Sequence, residues 1–150
     1  MATETLSPVV RFPLGLAAGV FATVAMDLVM ARLPEGGTPP TVAAGVLTLT
    51  HPDRAPARLA SVVHYLAGLL TGPLFVYTLY LAESVVGPST VATGVAAAVL
   101  LVVMIAFFVV VVLPRPDGLS PDRRARVGRD WAVSAVVYVT VLVPVVAVAP

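Results

Sequence analysis

From Thr90 to Leu113 the chain carries no charged side chain. A helix needs about 20 apolar residues, at roughly 1.5 Å rise each, to cross the hydrocarbon of a bilayer. The Val-rich composition of this run would suit strands in water. Hydrocarbon offers the backbone no partner, however, so a segment that satisfies its own hydrogen bonds is the expected form. Three more windows have the necessary length. They are Leu14 to Leu33, interrupted by Asp27 and Arg32; Leu59 to Val86, which holds His64 and Glu83; and Trp131 to Ala149. The whole chain agrees: 59% of its 150 residues are hydrophobic and 11% are charged, against about 25% charged in an ordinary soluble domain. Too few charges remain to coat a water-facing surface. An ordinary soluble globule, a disordered tail and a nucleic-acid binder are thereby excluded. The expected fold is all-α, one polytopic membrane domain over residues 1–150 with four transmembrane helices, and its first partner is the lipid bilayer.

Orientation follows from arginine placement. All nine basic residues are Arg, a bias that fits a GC-rich prokaryotic genome. Arg32, Arg54 and Arg58 fall between the first two spans, and Arg115, Arg123, Arg124, Arg126 and Arg129 between the last two. The N-terminal tail has Arg11, and the turn Gly87-Pro88-Ser89 has none. The positive-inside rule puts both Arg-bearing loops in the cytoplasm and both termini outside, in a multi-pass protein of the cell membrane. The first span is longer than a signal-peptide core and is followed by Arg-Leu-Pro-Glu rather than a small-residue cleavage site, so it is expected to stay.

Gly87-Pro88-Ser89 predicts a tight antiparallel hairpin between the second and third spans. In the first loop, Thr41 to Thr50 predicts a short interfacial helix with Val42, Val46 and Leu49 on one stripe. Thr38 is its expected N-cap and His51-Pro52 closes it. Ser120-Pro121-Asp122 predicts that the fourth helix begins in water and enters the membrane near Trp131, where an aromatic belt belongs.

Inside the spans, residues four apart form stripes. Gly15, Gly19, Thr23 and Asp27 share one face of the first span, and His64, Gly68 and Gly72 one face of the second. Gly-x-x-x-Gly faces let helices approach closely, so these two faces are expected to pack together. Pro73 is expected to kink the second span near residue 69. Asp27 lies about 9 Å and His64 about 8 Å from the cytoplasmic ends of their helices. At matching depth, an Asp27–His64 hydrogen bond or ion pair is expected, because an unpaired carboxylate in hydrocarbon costs several kcal/mol. Such a pair serves either as a polar clamp that fixes helix register or as a proton or ion relay. A relay would have to continue past Thr71, Tyr77, Thr78 and Tyr80 towards Glu83, a thin path that favours the clamp. Glu83 itself is expected at the membrane interface.

Other chemistry is sparse. The chain has no Cys and two His, with no His-x-x-x-His or Glu-x-x-His spacing, so neither a metal nor any other cofactor is expected. A haem held by His64 with Met26, Met30 or Met104 is the weaker reading of a lone His in an apolar span. No phosphate loop or nucleophile elbow occurs. Arg123, Arg124, Arg126 and Arg129 are candidates for lipid-headgroup contact, beside their role in orienting the chain. A non-enzymatic bundle, alone, self-associated or as an accessory subunit, is the leading expectation. A small proton- or ion-coupled transporter working as an oligomer comes second, and an enzyme acting on lipid headgroups third.

The stretch Gly15, Ala18, Gly19, Ala22, Thr23, Met26 resembles the G-x-x-A-G-x-x-A-T-x-x-M opening of YagU-like small prokaryotic membrane proteins, a largely uncharacterised family. Pro39-Pro40 and His64 to Gly72 match its Pro-rich loop and its His-bearing helix. The likeness covers the first half of the chain. It implies a four-helix inner-membrane protein and, through the family, a membrane role in acid resistance.

Overall fold

A computed structural model describes residues 7–147. Its elements are α1 (Pro8–Met30), α2 (Thr38–Thr48), a 3-10 turn (Pro52–Arg54), α3 (Ala57–Val86), α4 (Thr90–Ala106) continued by a π-helical segment (Phe107–Val112), and α5 (Pro121–Ala147). No strand occurs among the described residues. α1, α3, α4 with its π segment, and α5 are each long and apolar enough to cross a membrane. The last residues of the fourth expected span, 148 and 149, lie outside the described residues.

Several boundaries differ from those expected on apolarity. α1 begins at Pro8 rather than Leu14 and runs through Pro13. Pro8 fits the first helical position, where its missing N–H would have been unpaired in any case. Thr38 is not the N-cap of α2 but its first residue; Gly37 is the cap, and it makes no side-chain cap bond. The Thr38 hydroxyl instead donates to Glu35 Oε2 at 2.6 Å. α2 ends two residues before the expected stop, because Leu49 takes a left-handed conformation at φ 55°. α3 remains one assigned helix through Pro73. Gly87, at φ 76°, ends it, and the Ser89 hydroxyl caps α4 by accepting from the Ala92 N–H.

The four long helices form a ring in which α1 packs on α3 and α5, and α4 packs on α3 and α5. Two cores result. The larger fills the bundle towards the α3–α4 turn with Phe75, Val76, Leu79, Ala96, Leu100, Leu142 and Val146. A smaller one lies at the arginine-rich end, where Val42 of α2 meets Phe108, Leu113, Leu119 and Val127. Much of the outside is apolar: Phe21, Leu28, Leu66, Leu70, Val91, Val102 and Val110 are all exposed.

Candidate functional site

The two glycine stripes meet. A Cβ on Gly19 would stand 2.7 Å from the Gly68 carbonyl oxygen, and one on Gly72 would run into the backbone of Gly15. A Cβ on Gly68 would collide with the Thr23 side chain. α1 and α3 therefore touch backbone to backbone. Thr23 is buried and returns its hydroxyl proton to Gly19 O at 2.7 Å, so the stripe has no unpaired hydroxyl. Tyr138 of α5 reaches across the ring and donates to Gly68 O at 2.6 Å.

This close approach brings together the ionisable side chains one turn further along. His64 Nε2 lies 2.6 Å from Asp27 Oδ1. With the carboxylate ionised and Nε2 protonated, the ring nitrogen donates. The second carboxylate oxygen, Oδ2, accepts from the Tyr65 hydroxyl at 2.5 Å. The His64 side chain is 10% exposed and that of Asp27 is 30% exposed. Asp27 thus bridges two consecutive residues of α3. Tyr65 lay outside the expected site because adjacent helix positions point about 100° apart. The two oxygens of one carboxylate span that angle.

His64 also borders a cavity of about 460 Å³, whereas Asp27 and Tyr65 do not. The cavity lies between α3 and the far half of α4, with Pro39, Pro40 and Ala43 of α2 at one end and Trp131 and Tyr138 of α5 at the back. Its walls are almost wholly carbon. Trp131 donates its indole N–H to Met104 O at 3.1 Å and lies against Phe108, their ring centroids 4.7 Å apart.

At the arginine-rich end a charged network fixes the loops. Arg123 donates through Nε to Glu35 Oε1 at 3.1 Å, and through both terminal nitrogens to the two Asp53 oxygens at 2.9 Å. One guanidinium therefore holds both flanks of α2. It also keeps the Asp53 carboxyl below its ordinary range, chiefly by hydrogen bonding. Asp130 is fully buried. Its Oδ2 accepts the Glu35 N–H at 2.8 Å and its Oδ1 accepts both Nε and Nη2 of Arg129. Asp130 is not among the expected site residues; it immediately precedes Trp131, where the fourth helix is expected to enter the membrane. The i, i+4 series Asp130, Ser134, Tyr138, all of them buried, is the signal that points it inward.

Among the four candidate headgroup arginines, Arg123 and Arg129 make these ion pairs and Arg124 donates to Pro116 O at 3.0 Å. Arg126 is exposed. At the opposite end of the bundle, Arg11 and Glu83 pair at 2.8 Å, each side chain 12% exposed. The Arg11 guanidinium also stands 5.1 Å from the Tyr80 ring centroid. Glu83 is expected as an interface residue, with no partner named for it. The pair was hidden because Arg11 belonged to the tail in a reading that started the helix at Leu14. Among the described residues no cluster of three or more His, Asp or Glu could hold a metal ion. No family model matches the sequence, and neither a curated protein nor a solved structure is similar to it.

Proposed function

We propose that the chain is a non-enzymatic, four-helix integral protein of the cytoplasmic membrane, in which Asp27 and His64 clamp α1 to α3. It acts as a bundle, alone, self-associated or as the accessory subunit of a larger membrane assembly. The exposed apolar girdle supports insertion, since at about 25 cal/mol per Å² such a surface is costly in water. The YagU-like pattern supports the same reading: Gly15, Gly19 and Thr23, which carry it, are contact positions between α1 and α3.

One observation favours the clamp over the relay. Between the His64 level and the Arg11–Glu83 pair the interior is filled by Phe75, Val76, Leu79, Leu100 and Leu142, all 3% exposed or less. A proton or ion would meet packed hydrocarbon there. Proteoliposomes test this. Wild type and Asp27→Asn are expected to show the same proton leak as empty vesicles, and a flux abolished by Asp27→Asn would overturn the clamp.

Headgroup enzymology is a further reading, because His64 borders a cavity at the arginine-rich side. The carbon walls, and the absence of Asp27 from them, weigh against it. Lipid turnover lost in His64→Gln would support it.

Orientation can be read directly because the chain is cysteine-free. In intact cells Ser89→Cys is expected to react with a membrane-impermeant maleimide, and Asp117→Cys only after permeabilisation. The reverse pattern would overturn the proposed topology.

A further inference from the structure

The cavity beside His64 has a shape and a chemistry that name its occupant, given the membrane reading above. Along α3 it extends from Val63 to Leu74, about 16 Å at helical rise. That is close to the depth of one leaflet, half of a hydrocarbon core about 30 Å thick. Its volume of about 460 Å³ holds about fifteen groups the size of a methylene or a water, at roughly 30 Å³ each. The space thus suits one hydrocarbon chain and not two.

Water is a poor occupant. A buried water needs two to four polar partners, whereas these walls are almost wholly carbon and their hydroxyl and indole hydrogens are given to backbone carbonyls. Thr23 donates to Gly19 O, Thr71 to Ala67 O, Tyr138 to Gly68 O and Trp131 to Met104 O. The mouth opens sideways: Leu70 and Leu74 on α3, Val103 on α4 and Phe107 on its π-helical continuation line the cavity and are also exposed, at 43–58%. An occupant therefore arrives from the surroundings of the bundle, which in a membrane are acyl chains. The π-helical segment supplies Phe107, Phe108 and Val112 to this wall, and such segments are frequent at functional sites. Just beyond it stands Arg115, exposed, with its guanidinium turned back to Val111 O at 2.7 Å. Arg115 lies three residues past Val112, which lines the cavity, and a cation at that level can pair with a phosphate.

We propose that the cavity is a binding site for one acyl chain of a membrane phospholipid, which enters between α3 and α4 and leaves its phosphate at the level of Arg115. The lipid fills the space that the packed helices leave and stays with the protein when bulk lipid is removed.

The test uses the full chain reconstituted in palmitoyl-oleoyl-phosphatidylglycerol vesicles, extracted in mild detergent and weighed by native mass spectrometry. One phospholipid per chain is expected to remain. Ala67→Phe, which fills the cavity from α3, is expected to lower the retained fraction at least fivefold. Leu66→Phe, on a neighbouring exposed position outside the cavity, is expected to leave it unchanged. A diazirine on the acyl chain is expected to mark Thr71, Met104 and Phe107 above Val95 and Val99, which are exposed but lie outside the cavity. If Ala67→Phe loses its cooperative melt, Ala43→Leu narrows the same space from α2 and gives the same readout. No retained lipid in the wild type, retention untouched by cavity filling, labelling that follows exposure alone, or a retained molecule of another mass would each overturn the proposal. A protein that a carbonate wash strips from the vesicles would overturn the membrane reading instead. One that stays in the vesicles and emerges without lipid would overturn this proposal alone.

Discussion

The hydroxyl of Tyr138 donates to the carbonyl of Gly68 across the bundle, at 2.6 Å. Gly68 belongs to the stripe on which α1 and α3 touch, so this one bond ties α5 to the contact on which the clamp depends. Tyr138 is 1% exposed. Removing its hydroxyl with Tyr138→Phe keeps the ring packing and is expected to cost about 1 kcal/mol of unfolding free energy. Denaturation in mixed micelles measures it, and an unchanged midpoint would show that the diagonal bond contributes nothing.

Glycine substitutions separate contact positions from open ones. Gly72→Ala drives a methyl group into the backbone of Gly15 and is expected to cost about 1–3 kcal/mol, as overpacking does. A methyl group at Gly94 meets nothing within 4 Å, so Gly94→Ala is expected to stabilise α4 by up to about 1 kcal/mol through helix propensity. Melting temperatures of the two variants should move in opposite directions.

Much of this contact was legible from spacing alone. A period of four puts Gly15, Gly19 and Thr23 on one face and His64, Gly68 and Gly72 on another, and the depth of Asp27 and His64 follows from helical rise. What spacing could not supply was the partner of a charge on a distant element. Arg11 with Glu83, Arg123 with Asp53 and Glu35, and Asp130 with the Glu35 N–H all join positions more than 65 residues apart. Their pairing depends on how the helices are arranged in the ring, which apolar periodicity does not encode. The cavity was illegible for a related reason: it is space left among residues of several helices, and no residue pattern marks it.

The network at the arginine-rich end gives a pH dependence with a definite sign. Arg123 lowers the Asp53 pKa in the folded protein, below the unfolded value of about 3.9. The contribution of Asp53 is therefore fully present above that unfolded value, and it is lost as pH falls through the lower folded value. The difference in melting temperature between wild type and Asp53→Asn is expected to be fully present at about pH 5. It should then shrink towards zero in stronger acid, and should be smaller in an Arg123→Gln background, where only His51 remains beside Asp53. A difference that grows as the pH falls would contradict the ion pair.

The clamp is tested most directly by a double-mutant cycle on Asp27 and His64, with unfolding free energy measured in one detergent for wild type, Asp27→Asn, His64→Gln and the double variant. Each single change is expected to cost about 1 kcal/mol, and the double variant no more than the larger single, because the second change removes nothing further once the hydrogen bond is gone. Strict additivity of the two costs would mean that the 2.6 Å contact between His64 Nε2 and Asp27 Oδ1 does not hold α1 to α3, and would contradict the account.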